Sequence, residues 1–408
     1  MPTVTYNPRS QLDLEGRLVD ALNRLNKMIL VSGATKSGKT VLVRRVLSQE
    51  DAVWVEGGAI RSEADFWQEI VNVLGISIEH TTTTGKSSDV STQNDLGVDA
   101  KVLGMGIGGK RTASIKDGTS NSAAYKHAAT PRAAALRELK DRRIPLVVDD
   151  FHYMPRDVQS AVVRALKQPV FDGLRVTLLA VPHRTADAVK AESEIEGRIA
   201  TISVPDWHKS ELTEIATKGF AALNVVVSQQ LIDELVEGAF SSPHLLQDLC
   251  SLLCKKGNVD RTCALPTQLL APKPISLLFQ ELAAHMQPTA FSMIKKGPDR
   301  TNRIERRLRN GGGVCDIYEA VLWAIIETGP TAALVYGEIS AKLKDILVQT
   351  DVPQQHETTR VLEQMAKLAA DVGKSAPPLD YDKDLKEIHL TDPFFRFYLK
   401  WGVERTWH

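Results

Sequence analysis

An eight-residue segment, 33–40, constrains the fold of this chain more than any other feature of the sequence. It reads GATKSGKT, which fits the pattern GxxxxGK[ST], and it stands between an apolar run at 28–31 and a helical pattern that begins near Val41. Its glycines let backbone N–H groups curl around a phosphate, and the N-terminus of the next helix adds partial positive charge. A strand before the pattern and a helix after it predict a phosphate-binding loop in an α/β fold.

The loop positions have distinct expected roles. The Lys39 ammonium reaches the β- and γ-phosphates of a bound nucleotide, and the Thr40 hydroxyl coordinates Mg²⁺. We therefore expect ATP and Mg²⁺ as cofactors. The residues expected to bind nucleotide in this segment are Gly33, Ala34, Thr35, Lys36, Ser37, Gly38, Lys39, Thr40 and Val41.

A second apolar run, 146–148, ends in the two carboxylates Asp149 and Asp150. A P-loop nucleotidase needs such a strand, since the first acid orients the Mg²⁺ shell and the second polarises a water for in-line attack. We expect Asp149 to be a metal ligand and Asp150 to be catalytic, together with Lys39. Because aspartate is one methylene shorter than glutamate, we expect slow hydrolysis. A nucleotide-binding scaffold that never hydrolyses is the alternative.

Apolar runs and helical stripes alternate through the first half of the chain, which predicts a parallel sheet with crossover helices. The predicted strands are 28–31, 52–55, 144–148 and 176–181, and the predicted helices are 12–25, 41–47, 63–74, 131–140 and 158–166. Segment 81–130 is rich in Gly, Ser and Thr, and we interpret it as a surface insertion, part hairpin and part loop, or as a linker without a role.

The second half is helical and then mixed. Three helices are predicted over 209–256, a basic Pro-containing stretch follows, and from residue 316 three helices, a hairpin and an aromatic-rich helix predict a winged helix. We expect an α/β P-loop NTPase core with a parallel sheet and flanking helices, then an α-helical lid and a winged-helix domain. The expected boundaries are 1–208 for the core, 209–265 for the lid, 266–315 for a basic connector and 316–408 for the winged helix.

Composition excludes several other classes of protein. The chain has 50 Lys and Arg against 50 Asp and Glu, so its formal net charge of zero excludes a polybasic nucleic-acid coat. Apolar runs are too short for a membrane span, so we expect no membrane partner and a cytoplasmic location. The 4 cysteines are expected to be structural thiols, since they form neither a disulfide framework nor a metal-ligand pattern.

With the phosphate-binding loop and the acidic pair in place, the chain resembles the STAND branch of the AAA+-related P-loop ATPases. It is most similar to the archaeal-type ATPases of that branch. The resemblance is carried by Arg9 before the first helix, the Asp-Asp form of the acidic pair, Arg184 after the strand 177–181, Pro243 in the lid, and the segment IHLTDPFFRFYL at 388–399. These features span residues 9 to 399.

The resemblance implies roles for several residues. Arg9 would lie by the adenine, Arg184 would be a catalytic sensor of the γ-phosphate, and Pro243 would lie near the base. Arg198 is the best candidate for a catalytic arginine finger across a subunit interface, with a surface salt bridge as the alternative. His389 would contact an ADP phosphate or be an ordinary hairpin residue. The implied function is an ATP-dependent conformational switch that forms a homo-oligomer and regulates a separate effector protein, in prokaryotic (antiphage) defence.

The main alternative is a DNA-associated AAA+ ATPase of the origin-initiator or transposition-regulator type. Segment 295–309, from Lys295 to Arg309, holds seven basic residues and two acidic ones, and it could bind duplex DNA or be a solvated linker or subunit contact. The third helix of the winged-helix unit has only three outward polar side chains suited to base contacts, which weakens this alternative: Arg360, Gln364 and Lys367. A small-molecule P-loop kinase is disfavoured because it predicts no winged helix.

Overall fold

The structure is a computed structural model that describes residues 4–24, 26–76, 130–181, 197–286, 288–299, 304–311, 313–372, 377–405 and 407. Most of the predicted insertion at 81–130 lies outside the described residues, and so does Arg184. Among the described residues, no helix is long and apolar enough to cross a membrane. The four cysteines are free thiols, of which Cys254 and Cys315 are buried.

The N-terminal unit is built on a five-stranded sheet in the order β2-β3-β4-β1-β5. All neighbouring strands are parallel. The strands are β1 (Met28–Gly33), β2 (Val53–Glu56), β3 (Leu146–Asp149), β4 (Val176–Ala180) and β5 (Ile199–Val204). Four of them confirm the sequence prediction, whereas β5 was not predicted.

Helices cover both faces of this sheet, because strand side chains alternate between the faces. One face carries α1 (Leu14–Asn23) and α2 (Lys39–Val46), which pack on Ile29 and Val31 of β1. The other face carries α3 (Glu63–Leu74), α4 (Pro131–Asp141) and α5 (Arg156–Phe171), which pack on Met28 and Leu30. The predicted α/β class with a parallel sheet is confirmed.

A helical layer follows the sheet. It consists of α6 (Lys209–Ala222), α7 (Gln229–Gly238) and α8 (Pro243–Lys256), together with the short parallel pair β6 (Val225–Val226) and β7 (Thr267–Gln268). The stretch expected to be only a connector contains α9 (Ser276–Ala284) and α10 (Thr289–Lys296). Phe279 of α9 packs into the core of the helical layer, and Ile294 of α10 packs into the C-terminal core.

The C-terminal unit has the element order of a winged helix. A two-residue pair, β8 (Arg306–Arg307) with β9 (Val314–Cys315), precedes α11 (Ile317–Glu327). Then come β10 (Ala333–Val335), α12 (Tyr336–Ile346), α13 (Gln355–Val372), β11 (Leu379–Asp382), β12 (Glu387–Leu390) and α14 (Pro393–Trp401). Its three strands form an antiparallel sheet in the order β10-β12-β11.

Helix α14 joins two hydrophobic cores. Phe395 and Leu399 are buried in the C-terminal core, whereas Phe397 is buried in the core of the helical layer. The Phe397 ring meets the edges of the Phe240 and Phe279 rings at centroid distances of 6.4 and 6.0 Å. The buried aromatic residues of this helix therefore serve as core packing, and they tie the C-terminal unit to the layer before it.

Candidate functional site

The P-loop adopts a geometry that its glycines make possible. Strand β1 ends at Gly33, and α2 begins at Lys39 after an N-cap glycine, Gly38, with φ of 96°. A side chain at Gly38 would strain this left-handed conformation. A Cβ atom on Gly33 would lie 2.6 Å from the carbonyl oxygen of Val204, so β5 approaches the loop too closely for any other residue. The predicted strand–loop–helix context is confirmed.

Lys39 is held over this loop by the loop itself. Its ammonium donates hydrogen bonds to the carbonyl oxygens of Gly33 and Ala34, at 3.0 and 2.8 Å. The residue is only 8% exposed, and this burial lowers the pKa of its side chain to about 8, against the opposing effect of Asp150 and Asp149. A buried cation with little contact to solvent attracts an anion strongly, because little water lies near the pair to screen its charges.

Ser37 adds a second group suited to a phosphate. Its hydroxyl oxygen is buried and has no hydrogen-bond partner among the described residues. Buried polar groups normally have partners, so an unsatisfied hydroxyl within a loop of this geometry fits a phosphate oxygen as its missing acceptor. The residues present therefore fit a nucleotide phosphate group.

A hydroxyl and a carboxylate meet beside the loop. The Thr40 hydroxyl donates to Oδ1 of Asp149 at 3.2 Å, and the same oxygen accepts from the backbone N–H of Asp150 at 3.0 Å. Mg²⁺ prefers such oxygen ligands and is usually bound by one or two protein groups together with substrate phosphates. Thr40 and Asp149 therefore fit the predicted Mg²⁺ site.

Asp150 stands in the strained left-handed region with φ of 52°, at the point where β3 ends. Gly57 makes this possible, since a Cβ atom there would lie 2.5 Å from the carbonyl oxygen of Asp150. Burial and then the charge of Asp149 raise the pKa of Asp150 to about 6. A carboxylate whose pKa lies close to neutral pH is well suited to accept a proton from an attacking water.

These residues open onto a cavity of about 510 Å³, which lies within the size range of small-molecule sites. Its walls come from distant parts of the chain: the N-terminal segment 5–9, the P-loop, Asp150, and the start of α8 with Pro243 and Gln247. Val41 also lines it. Arg9 and Pro243 thus line the same cavity as the P-loop, and their expected places beside the adenine and the base stay predictions.

The guanidinium of Arg9 is used within the protein. It is 2% exposed, and it donates to Oε1 of Glu211 at 2.9 Å and to the carbonyl oxygens of Pro205 and Asp206, both at 2.8 Å. It also lies 4.6 Å from the ring centroid of Trp207. Arg9 therefore lines the cavity as a structural support.

Trp207 is a site residue that the sequence reasoning missed. Its indole N–H donates to the carbonyl oxygen of Ser37 at 2.8 Å, so it supports the P-loop from the side of the helical layer. The sequence shows only that Trp207 stands just before the first lid helix, and this position does not indicate a contact with Ser37. Glu211, the partner of Arg9, was missed for the same reason.

Of the two other predicted arginines, one lies outside the described residues and the other does not line this cavity. Arg184 lies outside the described residues. Arg198 precedes β5, where its carbonyl oxygen accepts from the N–H of Met28 at the start of β1, so it stands at the opposite end of the sheet from the P-loop. Its guanidinium lies 5.8 Å from the ring centroid of Phe171. Its role at a subunit interface stays a prediction.

The C-terminal unit contacts the P-loop directly, through a pair of residues that the sequence analysis did not identify. The Lys36 ammonium lies 2.9 and 3.0 Å from the two carboxylate oxygens of Asp392, and 3.9 Å from the ring centroid of Phe394. Asp392 is the N-cap of α14, where its Oδ1 accepts from the N–H of Phe394 at 2.8 Å. A neighbouring cavity of about 460 Å³ lies between the P-loop and this unit, and His389 lines it.

Most of the described basic residues in segment 295–309 form ion pairs within the protein. Arg306 pairs with Glu357 at 3.1 Å and is 7% exposed, and Arg307 pairs with Asp351 at 2.9 Å. Two further ion pairs join Lys295 to Glu319 and Lys296 to Asp299. Four of its basic residues therefore have acidic partners within the chain.

No known family profile matches the chain. No curated protein matches it either. Among solved structures, the Walker-type ATPase paby2304 of Pyrococcus abyssi is similar, with a TM-score of 0.51 and 12% identity over 97% of this chain and 95% of that chain. This likeness shows a shared fold, with the parallel sheet and P-loop described above. The Aeropyrum pernix ORC2 protein is similar with a TM-score of 0.49 and 12% identity over 96% and 92%. Cdc6p from Pyrobaculum aerophilum has a TM-score of 0.43 and 11% identity over 98% and 94%.

Proposed function

We propose that this protein is an ATP-binding and ATP-hydrolysing conformational switch. The observation that carries the proposal is that the phosphate-binding loop belongs to two contacts at once. The loop faces the cavity with Asp150 and the lid, and it is also tied to the C-terminal unit through Lys36 and Asp392. A ligand that binds this loop therefore acts on a contact between units.

Different residues of the site would bind the phosphates, hold Mg²⁺ and accept the proton of the attacking water. Lys39 exchanges the carbonyl oxygens of Gly33 and Ala34 for phosphate oxygens, and the backbone N–H groups of the loop stabilise negative charge. Thr40 and Asp149 would hold Mg²⁺, which neutralises charge on the phosphates. Asp150 takes the proton of the attacking water, and its side chain, one methylene shorter than that of a glutamate, fits slow turnover.

The switch itself requires that nucleotide favour one arrangement of the units over another. A ligand shifts such an equilibrium only by its different affinity for the two states. ATP adds a γ-phosphate close to the loop that carries Lys36, so we infer that ATP and ADP differ in how well they tolerate the contact with Asp392. In this proposal Arg184 senses the γ-phosphate and Arg198 acts across an interface between copies of the chain.

The finer identity of the switch rests on the resemblance to STAND ATPases. On that basis we propose that the ATP state forms a homo-oligomer and regulates a separate effector protein, in prokaryotic defence. A shared fold does not itself carry these properties, so they need their own test.

A DNA-associated ATPase is the second candidate, favoured by the winged-helix order of the C-terminal unit. The ion pairs of segment 295–309 weigh against that segment as the contact with duplex DNA. A single experiment distinguishes a switch that assembles without DNA from an ATPase that assembles only on DNA.

That experiment measures the solution mass of the chain by light scattering, alone, with ADP, with ATP and Mg²⁺, and with duplex DNA. Assembly with ATP alone supports the switch, and assembly only with DNA supports the second candidate. Lys39→Ala should abolish ATP binding in calorimetry, while Lys255→Ala, which changes an exposed lysine of α8, should leave it unchanged. Asp150→Asn should preserve binding and stop turnover, which traps the ATP state. Unchanged ATP affinity in Lys39→Ala would refute the proposed site.

A further inference from the structure

A basic cleft lies at the end of the sheet opposite the P-loop. It has a volume of about 1040 Å³, lies between α4 and α5, and includes the turns that lead into β3 and β4. Its basic residues are Arg132, Arg137, Lys140, Arg143, Arg164 and Arg175, against the two acidic residues Asp141 and Asp172. Because the whole chain has a net charge of zero, this is a local concentration of positive charge.

Four of the six cations of this basic cleft are available to a ligand. Arg137, Lys140, Arg143 and Arg175 are exposed, and none of the four forms an ion pair with an acidic residue of the described chain. This distinguishes the cleft from segment 295–309, where four of the five basic residues that the structure describes have acidic partners. Unpaired exposed cations that surround a concave surface repel one another, and a polyanion relieves that repulsion.

The spacing of the charges indicates a polymer. Arg132 and Lys140 stand near opposite ends of α4, and a rise of 1.5 Å per residue places their backbones about 12 Å apart. A single phosphate group is much shorter than this, whereas a duplex carries one negative charge per about 1.7 Å of its axis. Several neighbouring phosphates of a duplex therefore match the length of the cleft.

The lining also distinguishes a duplex from an unpaired strand. Proteins that bind single strands stack the bases on aromatic side chains, and no aromatic residue of the described chain lines this cleft. Cations without a stacking surface are typical of contacts to the phosphate backbone, which carry affinity and no sequence information. We propose that the basic cleft binds the phosphodiester backbone of a nucleic-acid duplex, independently of sequence.

This ligand and a nucleotide would not compete for space. The cleft is lined by residues that precede β3 and β4, namely Ile144, Leu174 and Arg175, whereas Asp150 and Val181 of the nucleotide cavity follow the same strands. The two sites are separated by the length of these strands, which is about 13–17 Å for four or five residues. Duplex binding at the cleft therefore does not depend on the proposed ATPase activity, and the two are tested separately.

The test measures binding of the full chain to a 20-base-pair DNA duplex by fluorescence anisotropy between 50 and 200 mM salt, without nucleotide. Four phosphate contacts give a slope of about −3.6 in the logarithmic salt plot, so affinity should fall roughly 100-fold over this range. The cleft variant carries Arg137→Gln, Lys140→Gln, Arg143→Gln and Arg175→Gln. The control removes the same charge from segment 295–309 by Lys295→Gln, Lys296→Gln, Arg307→Gln and Arg309→Gln.

We expect the cleft variant to lose most of the affinity and most of the salt dependence, and the control to retain both. Thermal melting of the two variants shows whether each is folded, and the exposed positions in the cleft should leave its melting temperature near that of the wild type. An RNA duplex of the same sequence shows which duplex is preferred, and binding of either supports the proposal. It is overturned if the wild type binds neither duplex at 50 mM salt, if a single strand binds more tightly, or if the control loses as much affinity as the cleft variant.

Discussion

The contact between Lys36 and Asp392 can be broken without disturbing the helix that carries it. Asp392 has two roles: its carboxylate pairs with the Lys36 ammonium, and its Oδ1 caps α14 by accepting from the N–H of Phe394. Asparagine is as good an N-cap as aspartate but has no charge. Asp392→Asn therefore removes the ion pair and retains the cap.

The structure sets the expected size of the effect. The two side chains are 33% and 23% exposed, so solvent screens the pair, and such surface pairs contribute about 0.2–1 kcal/mol. Loss of the pair shifts an equilibrium between docked and undocked units by about 1.4- to 5-fold. Lys36→Met also removes the contact with the Phe394 ring, worth about 0.5–1 kcal/mol more, so its total effect is about 3- to 30-fold.

The assay measures the ATP concentration at which half of the chain has assembled, by light scattering. If the contact favours the docked state, Asp392→Asn should lower this midpoint. The matched control is Asp384→Asn, which changes an exposed aspartate of the same unit that has no ion pair in the described chain.

A double-mutant cycle separates the ion pair from other effects, because Lys36 belongs to the P-loop and its replacement also alters nucleotide binding directly. The combined variant should shift the midpoint by less than the sum of the two single variants, since both remove the same pair. Additive shifts, or an equal shift in Asp384→Asn, would refute the reasoning.

Three further predictions follow from the site and its supports. Trp207→Phe keeps an aromatic side chain but loses the hydrogen bond from the indole N–H to the carbonyl oxygen of Ser37, so calorimetry should show ATP affinity reduced by about 2- to 12-fold. An unchanged affinity would mean that this hydrogen bond does not support the loop. Without Mg²⁺, ADP affinity should be highest below pH 8 and fall as the pH rises through about 8, because Lys39 then loses its proton; a rise in affinity over that range would contradict this. Phe397→Ala should lower the free energy of unfolding in urea by about 3–5 kcal/mol, and a loss below 1 kcal/mol would exclude a core role.

Local patterns were sufficient for most elements of the α/β core. Two local patterns illustrate this: the apolar run that forms β1 and the helical stripe of α3. Each involves only residues that are close together in the chain, and α3 was predicted with the bounds that the structure has. Strand β5 was missed because it lies at the sheet edge and is half-exposed, with polar Thr201 and Ser203 between its apolar residues. The helices α9 and α10 were missed because prolines and basic residues obscured their short apolar faces.

The candidate site likewise contains residues that could be predicted from the sequence and others that could not. The residues that would touch phosphate and Mg²⁺, from Gly33 to Thr40 with Asp149 and Asp150, could be named from the sequence because strand, turn and helix signals surround each motif. The supports of the site could not, because Trp207 meets Ser37 and Glu211 meets Arg9 only after distant segments have packed together.

The phosphate-binding loop, the acidic pair and the parallel sheet can be predicted from the sequence, because each depends on residues that are neighbours in the chain. The packing of distant elements is what places Lys36 of this loop against Asp392 of the last helix, and what lines one cleft with cations from α4, α5 and two strand-entry turns. Such pairings depend on the relative placement of whole elements, which is set by the burial of their apolar faces, and no local pattern records which charged side chains then become neighbours.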